Sequence, residues 1–351
     1  MDETGGGAGD GPAAPRRPAE PLPWQRRFAS DMFARRAGWA HALLLTGPAG
    51  IGKRRLAEVL AGALLCEAPR GDGSACGECA GCRYAAARQH PDLRIIEPVD
   101  VDDDGVAKPV DAIVVDRIRS LIDWVQVTSH RGGSKVALIV PAERMNPAAA
   151  NALLKTLEEP PPGTFLVLVS HQPGRLPATI VSRCQRIAAP RPAPAEAAAW
   201  LAAQGVDDPD RVLAQAAYAP LAAIALAGEE YQAERTSWLA AFAKPAVLST
   251  VTLGARIDAL PRESRKEGLG ALIGWLSGWC TDLARVRFGG APLQNRDMAA
   301  DLAVLAGSVA PLALFRYHRT LLRARALLGH PLQPRLVAEA LLIDYRNLFG
   351  R

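Results

Sequence analysis

Between residues 22 and 188, short apolar runs alternate with segments whose apolar residues recur every three or four positions. The runs have the length and composition of buried strands, and the segments have the periodicity of amphipathic helices. Strands are predicted at 41–46, 92–96, 135–140, 164–170 and in the last residues of 175–187. Helices are predicted at 53–65, at 116–126 and from Asn146 to the prolines that begin at Pro160. This alternation predicts a mostly parallel sheet covered by helices on both faces.

The pattern changes after Pro190, where Ala and Leu recur at helical spacing and no strand is predicted. The first 21 residues are rich in Gly and Pro and poor in apolar residues, so they are predicted to be disordered. The predicted fold is therefore α/β plus all-α. Its parts are a disordered segment at 1–21, an α/β domain at 22–188, a small helical domain at 189–228 and a larger helical domain at 229–351.

Composition narrows the class of protein. With 351 residues, 49% hydrophobic and 22% charged, the chain is predicted to be globular and not mainly disordered. A net charge of +5 is compatible with contact to nucleic acid but does not require it. No apolar run reaches the roughly 18–20 residues that span a bilayer, and the N-terminus lacks the apolar core of a signal peptide. We therefore expect a cytoplasmic protein that does not contact membranes.

Residues 47–53 read GPAGIGK and satisfy most of a Walker A phosphate loop, placed between a predicted strand and a predicted helix. Gly47, Gly50 and Gly52 would let backbone N–H groups surround phosphates, and Lys53 would add a positive charge. The next position normally carries a Ser or Thr hydroxyl that binds Mg²⁺, whereas here it carries Arg54, which has no acceptor. The motif strongly indicates a P-loop fold, but it lacks the hydroxyl that would bind Mg²⁺.

The second half of such a site is also missing. An ATPase of this kind places carboxylates at the end of a neighbouring strand to hold Mg²⁺ and orient water. After the strand at 135–140 this chain has Pro141 and Ala142, and Glu143 is expected to point elsewhere. Hydrolysis should be absent or negligible. The residues leave two interpretations open: a glycine turn that only keeps the fold's shape, or a loop that still binds ATP or ADP.

Four of the six cysteines form a cluster with the pattern C-x9-C-x2-C-x2-C. Thiolates at this spacing can surround one ion, and a closed tetrahedral shell of four sulfurs suits structural Zn²⁺. An iron–sulfur cluster or a redox dithiol are the alternatives. The predicted ligands are Cys66, Cys76, Cys79 and Cys82, whereas Cys184 and Cys280 are expected to be small buried residues.

Arg183 lies in a Ser-Arg-Cys segment at the edge of the predicted α/β domain. One interpretation is a surface arginine paired with a nearby carboxylate. The other is an arginine finger that reaches a neighbouring subunit's nucleotide, where a guanidinium stabilises charge on the γ-phosphate. The spacing does not choose between them.

Several segments taken together resemble the AAA+ subunits of bacterial DNA polymerase III clamp loaders, above all their delta-prime branch. They are the phosphate loop, the cysteine cluster followed by His90-Pro91-Asp92, the segment NALLKTLEEPP at 151–161 and the segment TIVSRCQRI at 179–187. The resemblance covers about residues 22–190 well, and HPLQPRLVAEALL at 330–342 looks like the family's closing helix. It implies an AAA+ P-loop domain, a helical lid and a helical collar that oligomerises.

The resemblance also implies roles for single residues. Arg183 would be the finger, the four clustered cysteines would be zinc ligands, and Ser170 would stand at the polar sensor position of the degenerate nucleotide site. The arginine usual in the lid is replaced, and Leu221 aligns there. The implied function is a non-hydrolysing subunit without independent catalysis. Its implied partners are tau/gamma motor subunits, the delta subunit, the sliding clamp and primed DNA.

Two other classes remain open. One is an ATP-hydrolysing enzyme, either a tau/gamma-like motor or a P-loop kinase. The other is a free-standing zinc-containing protein that binds nucleic acid.

Overall fold

The computed structural model describes residues 18–101 and 107–350, which form two compact units that divide between Glu196 and Ala197. Most of the predicted disordered segment at 1–21 lies outside the described residues. The three-domain division stays a prediction. Among the described residues, no helix is both long enough and apolar enough to cross a membrane.

The first unit is built on a five-stranded parallel sheet with the order β2-β5-β6-β1-β7. Its strands are β1 (Ala42–Thr46), β2 (Leu93–Ile96), β5 (Lys135–Ile139), β6 (Thr164–Ser170) and β7 (Gln185–Ala188). A separate antiparallel pair, β3 (Val99–Val101) and β4 (Ala107–Pro109), lies in a stretch where the acidic, proline-containing sequence indicates a loop. The predicted parallel sheet is confirmed.

Helices cover both faces of this sheet, because its central strands are apolar on both sides. They are α1 (Arg26–Ala34), α2 (Lys53–Leu65), α3 (Ala80–Ala86), α4 (Val115–Gln126), α5 (Pro147–Glu158) and α6 (Ala178–Val181). One apolar cluster packs α2 against β1, β5 and β6, and another packs α4 and α5 against the opposite face. Helix α5 begins as predicted, since the Asn146 side chain accepts a hydrogen bond from Ala149 N at 2.8 Å. The sheet thus brings the ends of β1, β5 and β6 to one edge.

The second unit is helical throughout its described residues. Its helices are α7 (Pro194–Ala203, which begins in the first unit), α8 (Pro209–Gln215), α9 (Pro220–Leu226), α10 (Glu229–Phe242), α11 (Thr250–Ala259), α12 (Arg265–Arg287), α13 (Ala299–Ala306), α14 (Pro311–Ala326) and α15 (Pro334–Asn347). A small core joins α7 to α9, and a larger core joins α10 to α15 around the long α12. The predicted class, an α/β domain with a parallel sheet followed by an all-helical part, is confirmed.

Candidate functional site

The phosphate-type loop connects the buried strand β1 to helix α2. Gly50 and Gly52 adopt φ values of 78° and 88°, in the left-handed region that favours glycine. A side chain at Gly52 would also collide with Leu22 and Gln25. Glycine is therefore favoured at position 52 by both backbone conformation and packing.

The segment before α1 packs directly on this loop. Trp24 Nε1 donates a hydrogen bond to Ile51 O at 3.0 Å, and Gln25 Nε2 donates to Gly52 O at 2.9 Å. The Gln25 side chain is fully buried. These contacts hold the loop's backbone in place, and no sequence motif predicts them.

Lys53 is buried, with 2% of its surface exposed, and its Nζ donates to Gly47 O at 2.7 Å and Pro48 O at 2.5 Å. Burial lowers the pKa of this ammonium group to about 8, against the opposing charge of Glu143. The lysine is therefore directed at the carbonyl groups of its own loop.

Arg54, at the position where Mg²⁺ would need a hydroxyl, is engaged away from the loop. Its guanidinium makes a two-pronged ion pair with Glu97, at 2.5 Å and 2.9 Å, and its Nε donates to Glu58 at 3.2 Å. Glu97 directly follows β2, so the pair fastens the first turn of α2 to the end of that strand. Arg54 thus gives the loop no ligand for a metal.

The end of β5 carries Pro141 and the fully buried Ala142, neither of which offers a carboxylate. Glu143 accepts hydrogen bonds at one oxygen from His171 N and Gln172 N, at 2.9 Å and 3.2 Å. Its other oxygen is buried without a hydrogen-bond partner among the described residues. Glu143 is therefore bound to the backbone that follows β6, while its charge raises the pKa of both Lys53 and His171.

Ser170 is the last residue of β6, and His171 follows it. Ser170 is fully buried, and within the described chain neither its Oγ nor His171 Nδ1 has a hydrogen-bond partner. Burial lowers the pKa of His171, and the charge of Lys53 lowers it further. Ser170 therefore lies beside Thr46, the residue before the loop, and the charge of Lys53 acts on the adjacent His171. Sequence reasoning missed His171 because it lies more than a hundred positions from the loop.

The four predicted metal ligands come together. All four sulfur atoms lie within 4.8 Å of one another, and the Cys66–Cys79 and Cys76–Cys82 sulfurs are each 3.9 Å apart. A tetrahedral site with Zn–S bonds of about 2.3 Å places its sulfurs about 3.8 Å apart, so the geometry fits such an ion. The cluster could bind a metal.

Local backbone also prepares the cluster for metal. The N–H groups of Glu78 and Cys79 donate to Cys76 Sγ at 3.4 Å and 3.3 Å, and they lower the pKa of that thiol to about 6. Gly77 has φ of 85°, which permits the turn, whereas a side chain at Gly81 would come within 2.5 Å of Leu65 O. Thiolates are the metal-binding form of cysteine, so these two N–H groups favour ligation by Cys76, whereas burial raises the pKa of Cys66 and Cys82.

The cysteine cluster is fastened to the sheet by the residues that follow it. Asp92 is buried and accepts hydrogen bonds from His130 N and Arg131 N at 2.8 Å and 3.1 Å. Arg131 in turn pairs with Glu67, next to the first ligand, and lies over the Tyr84 ring with its Cζ 5.5 Å from the centroid. Asp92 of the His-Pro-Asp segment therefore has a structural role.

Arg183 follows the short helix α6 and is about one third exposed. Its guanidinium pairs with Glu158, the last residue of α5, with a distance of 2.6 Å from Nε to Oε1. It also donates to Thr179 O at 3.1 Å. Pairing with a nearby carboxylate, one of the two interpretations of this arginine, is therefore what this chain shows by itself.

The sequence is similar to known proteins. A sequence model described as DNA polymerase III, delta subunit, matches residues 27–192. A protein from Pseudomonas aeruginosa named DNA polymerase III subunit delta' is 47% identical over 221 residues, 62% of this chain and 64% of that protein. The protein of that name from Escherichia coli is 33% identical over 295 residues, 82% of this chain and 84% of that protein. The match thus spans less than two thirds of the Pseudomonas protein and most of the Escherichia protein.

Among solved structures, a DNA polymerase III gamma subunit-related protein from Thermotoga maritima aligns with 91% of this chain and 99% of its own. The TM-score is 0.44 and the sequence identity is 17%.

Proposed function

We propose that this chain, which belongs to the DNA polymerase III delta-prime family, is a clamp-loader subunit that does not hydrolyse ATP itself. One observation carries the non-hydrolysing part. The loop carries the glycines of the Walker A pattern, with positive φ at Gly50 and Gly52, but Arg54 occupies the hydroxyl position and is paired with Glu97. Pro141 and Ala142 stand where carboxylates would hold Mg²⁺ and orient water.

The proposed contribution of the chain to ATP hydrolysis is Arg183, acting on the nucleotide of a neighbouring tau/gamma motor subunit. The side chain is part-exposed at the edge of the first unit, which leaves its guanidinium within reach of a partner surface. An always-charged planar group suits the charge that develops on a transferring phosphoryl group. In this proposal the assembled complex, with the delta subunit, opens a sliding clamp and places it on primed DNA.

The four clustered cysteines would hold a structural Zn²⁺ in this proposal. Such an ion would tie the end of α2 to α3 and supply folding free energy, with no position left open for a substrate.

The test is reconstitution of the clamp loader with the Arg183→Ala chain. We expect normal assembly and a severalfold loss of clamp- and DNA-stimulated ATP turnover, since one finger is removed from the ring. Arg186→Ala is the matched control, because Arg186 is exposed on β7 three positions away. Turnover equal to that of the control would remove the finger assignment.

The isolated chain tests the other half of the proposal. We expect no steady-state ATP turnover above that of a Lys53→Ala variant. Appreciable turnover that Lys53→Ala abolishes would favour the hydrolysing motor.

A further inference from the structure

Every nitrogen of the Arg183 guanidinium is engaged within its own chain. Nε and Nη2 both contact Glu158, and Nη1 donates to Thr179 O at 3.1 Å and lies 3.4 Å from Ser182 Oγ. A guanidinium has five N–H donors in a fixed fork, so its orientation is set by these partners. Contact with any other anion requires that Glu158 share the guanidinium or release it.

The two backbones that carry this pair are fixed. Leu157, next to Glu158, and Ile180, three residues before Arg183, are buried in the same apolar cluster. Pro160 ends α5 two residues after Glu158. A change in the pair is therefore a change of side-chain partner and not of backbone.

Glu158 occupies an unfavourable place for an acid. It is the last residue of α5, where the partial negative charge of the helix terminus disfavours a carboxylate. Arg183 offsets that charge. Both side chains are partly exposed, 34% for Arg183 and 48% for Glu158, and exposed pairs are weak enough to exchange. A triphosphate carries more charge than one carboxylate and can displace it.

We propose that Glu158 is a positioning residue that holds the Arg183 guanidinium on this chain until a neighbouring subunit presents a γ-phosphate. This inference rests on the proposed finger role of Arg183. Glu158 then competes with the γ-phosphate of ATP for one guanidinium, and it does not compete with ADP, which lacks that group.

The test is a titration of the reconstituted complex, full-length chains throughout, with fluorescent non-hydrolysable ATP and with ADP. The site served by Arg183 is identified as the binding lost or weakened in the Arg183→Ala complex. For Glu158→Gln we expect this site to bind the ATP analogue about three- to fivefold more tightly, the range set by an exposed ion pair, with ADP binding unchanged. Glu159→Gln is the matched control, because Glu159 is exposed next in sequence.

The outcomes distinguish the positioning role of Glu158 from the finger role of Arg183. If Glu158→Gln has the same affinity for the ATP analogue as Glu159→Gln, or a weaker one, the positioning role of Glu158 is overturned. A defect in Arg183→Ala would still support the finger role in that case. An Arg183→Ala complex with unchanged binding and turnover overturns the finger and this inference with it. In the double variant, the effect of Glu158→Gln should vanish, because no guanidinium remains to be released. A persisting gain in ATP affinity would show that Glu158 acts on something else.

Discussion

Two candidate sites lie at the two ends of helix α2, and they differ in the groups that each presents. At its start, Lys53 follows a glycine loop of the Walker A pattern, and Arg54 stands at the position of the usual hydroxyl. At its end, Cys66 begins a cluster in which all four ligands lie at chelating distance. The first site keeps the glycines and the lysine of the motif but carries Arg54 in place of a hydroxyl, whereas the second brings four cysteine sulfurs together.

The contacts at each end of α2 indicate whether each site depends on a bound ligand for its conformation. The loop is supported by the side chains of Trp24 and Gln25 and by Lys53 itself, so its form needs no nucleotide. Within the cysteine cluster, backbone N–H groups of its own residues contact its sulfur atoms at 3.2 Å to 3.4 Å. We therefore expect the cluster, and not the loop, to depend on a bound ion.

Loss of one cysteine ligand gives the largest expected effect. Cys82→Ser should abolish stoichiometric zinc and lower the free energy of unfolding by about 3–5 kcal/mol, because a structural metal contributes directly to folding. Metal analysis and thermal unfolding measure the two effects. Cys184→Ser, at a part-buried cysteine outside the cluster, is the control and should retain zinc. Full metal content and unchanged stability in Cys82→Ser would contradict the expectation that the cluster depends on a bound ion.

A side chain in the loop should have the next largest effect. Gly52→Ala should lower the free energy of unfolding by about 2–3 kcal/mol, because φ is 88° and the added carbon collides with Leu22 and Gln25. Gly62→Ala is the matched control in the middle of α2, where nothing lies within 4 Å, and it should stabilise by about 0.5–1 kcal/mol. Denaturant unfolding without nucleotide checks both. If Gly52→Ala and Gly62→Ala had equal free energies of unfolding, the conformation and packing of Gly52 would not contribute to the stability of the loop.

Sequence patterns predicted the parts of this comparison that are local along the chain. The strand at 164–170 and the helix at 53–65 have the predicted bounds, because apolar periodicity and flanking Gly or Pro define both ends. The cysteine cluster was found for the same reason, since its ligands lie within 17 consecutive positions of the sequence, 66–82. Ligands that lie close together in the sequence can be recognised as a motif without knowledge of the fold.

Contacts between distant segments were not predicted. Gln25 bonding to the loop, Glu143 acting on Lys53 and Asp92 holding residues 130–131 all depend on which strand edges the fold brings together. The pair β3 and β4 was missed because its strands are three residues long and polar in part, so no apolar alternation marks them. Buried polar residues such as Gln25 and Asp92 carry no local signal of burial.

Burial of Lys53 predicts a stability that depends on pH. The unfolded chain holds the proton of this lysine up to about pH 10.5, whereas the native chain releases it near pH 8. The native state is therefore penalised below pH 8, and its stability recovers as pH rises from 8 to 10.5. Lys53→Met should stabilise the chain by about 1–2 kcal/mol at pH 7, less than the full shift because two hydrogen bonds are lost.

Unfolding of Lys53→Met at pH 7 and pH 10 measures this dependence, and the advantage of the variant should shrink at the higher pH. Lys155→Met is the matched control, at an exposed lysine of α5, and should show no such trend. A loss of stability in Lys53→Met at pH 7 would mean that the loop depends on its ammonium group.

The smallest expected effect comes from repairing the sequence of the loop. Arg54→Thr restores the hydroxyl that a Walker A loop uses for Mg²⁺, and it removes the pairs with Glu97 and Glu58. Those pairs are partly exposed, so the free energy of unfolding should fall by less than about 1 kcal/mol. ATP turnover should stay absent, because Pro141 and Ala142 still supply no carboxylate. Arg55→Thr, at the next and exposed arginine, is the control for the loss of charge. Turnover in Arg54→Thr that Lys53→Ala abolishes would show that one side chain separates this loop from an active site, with Glu143 and its unpartnered oxygen as the carboxylate that serves it.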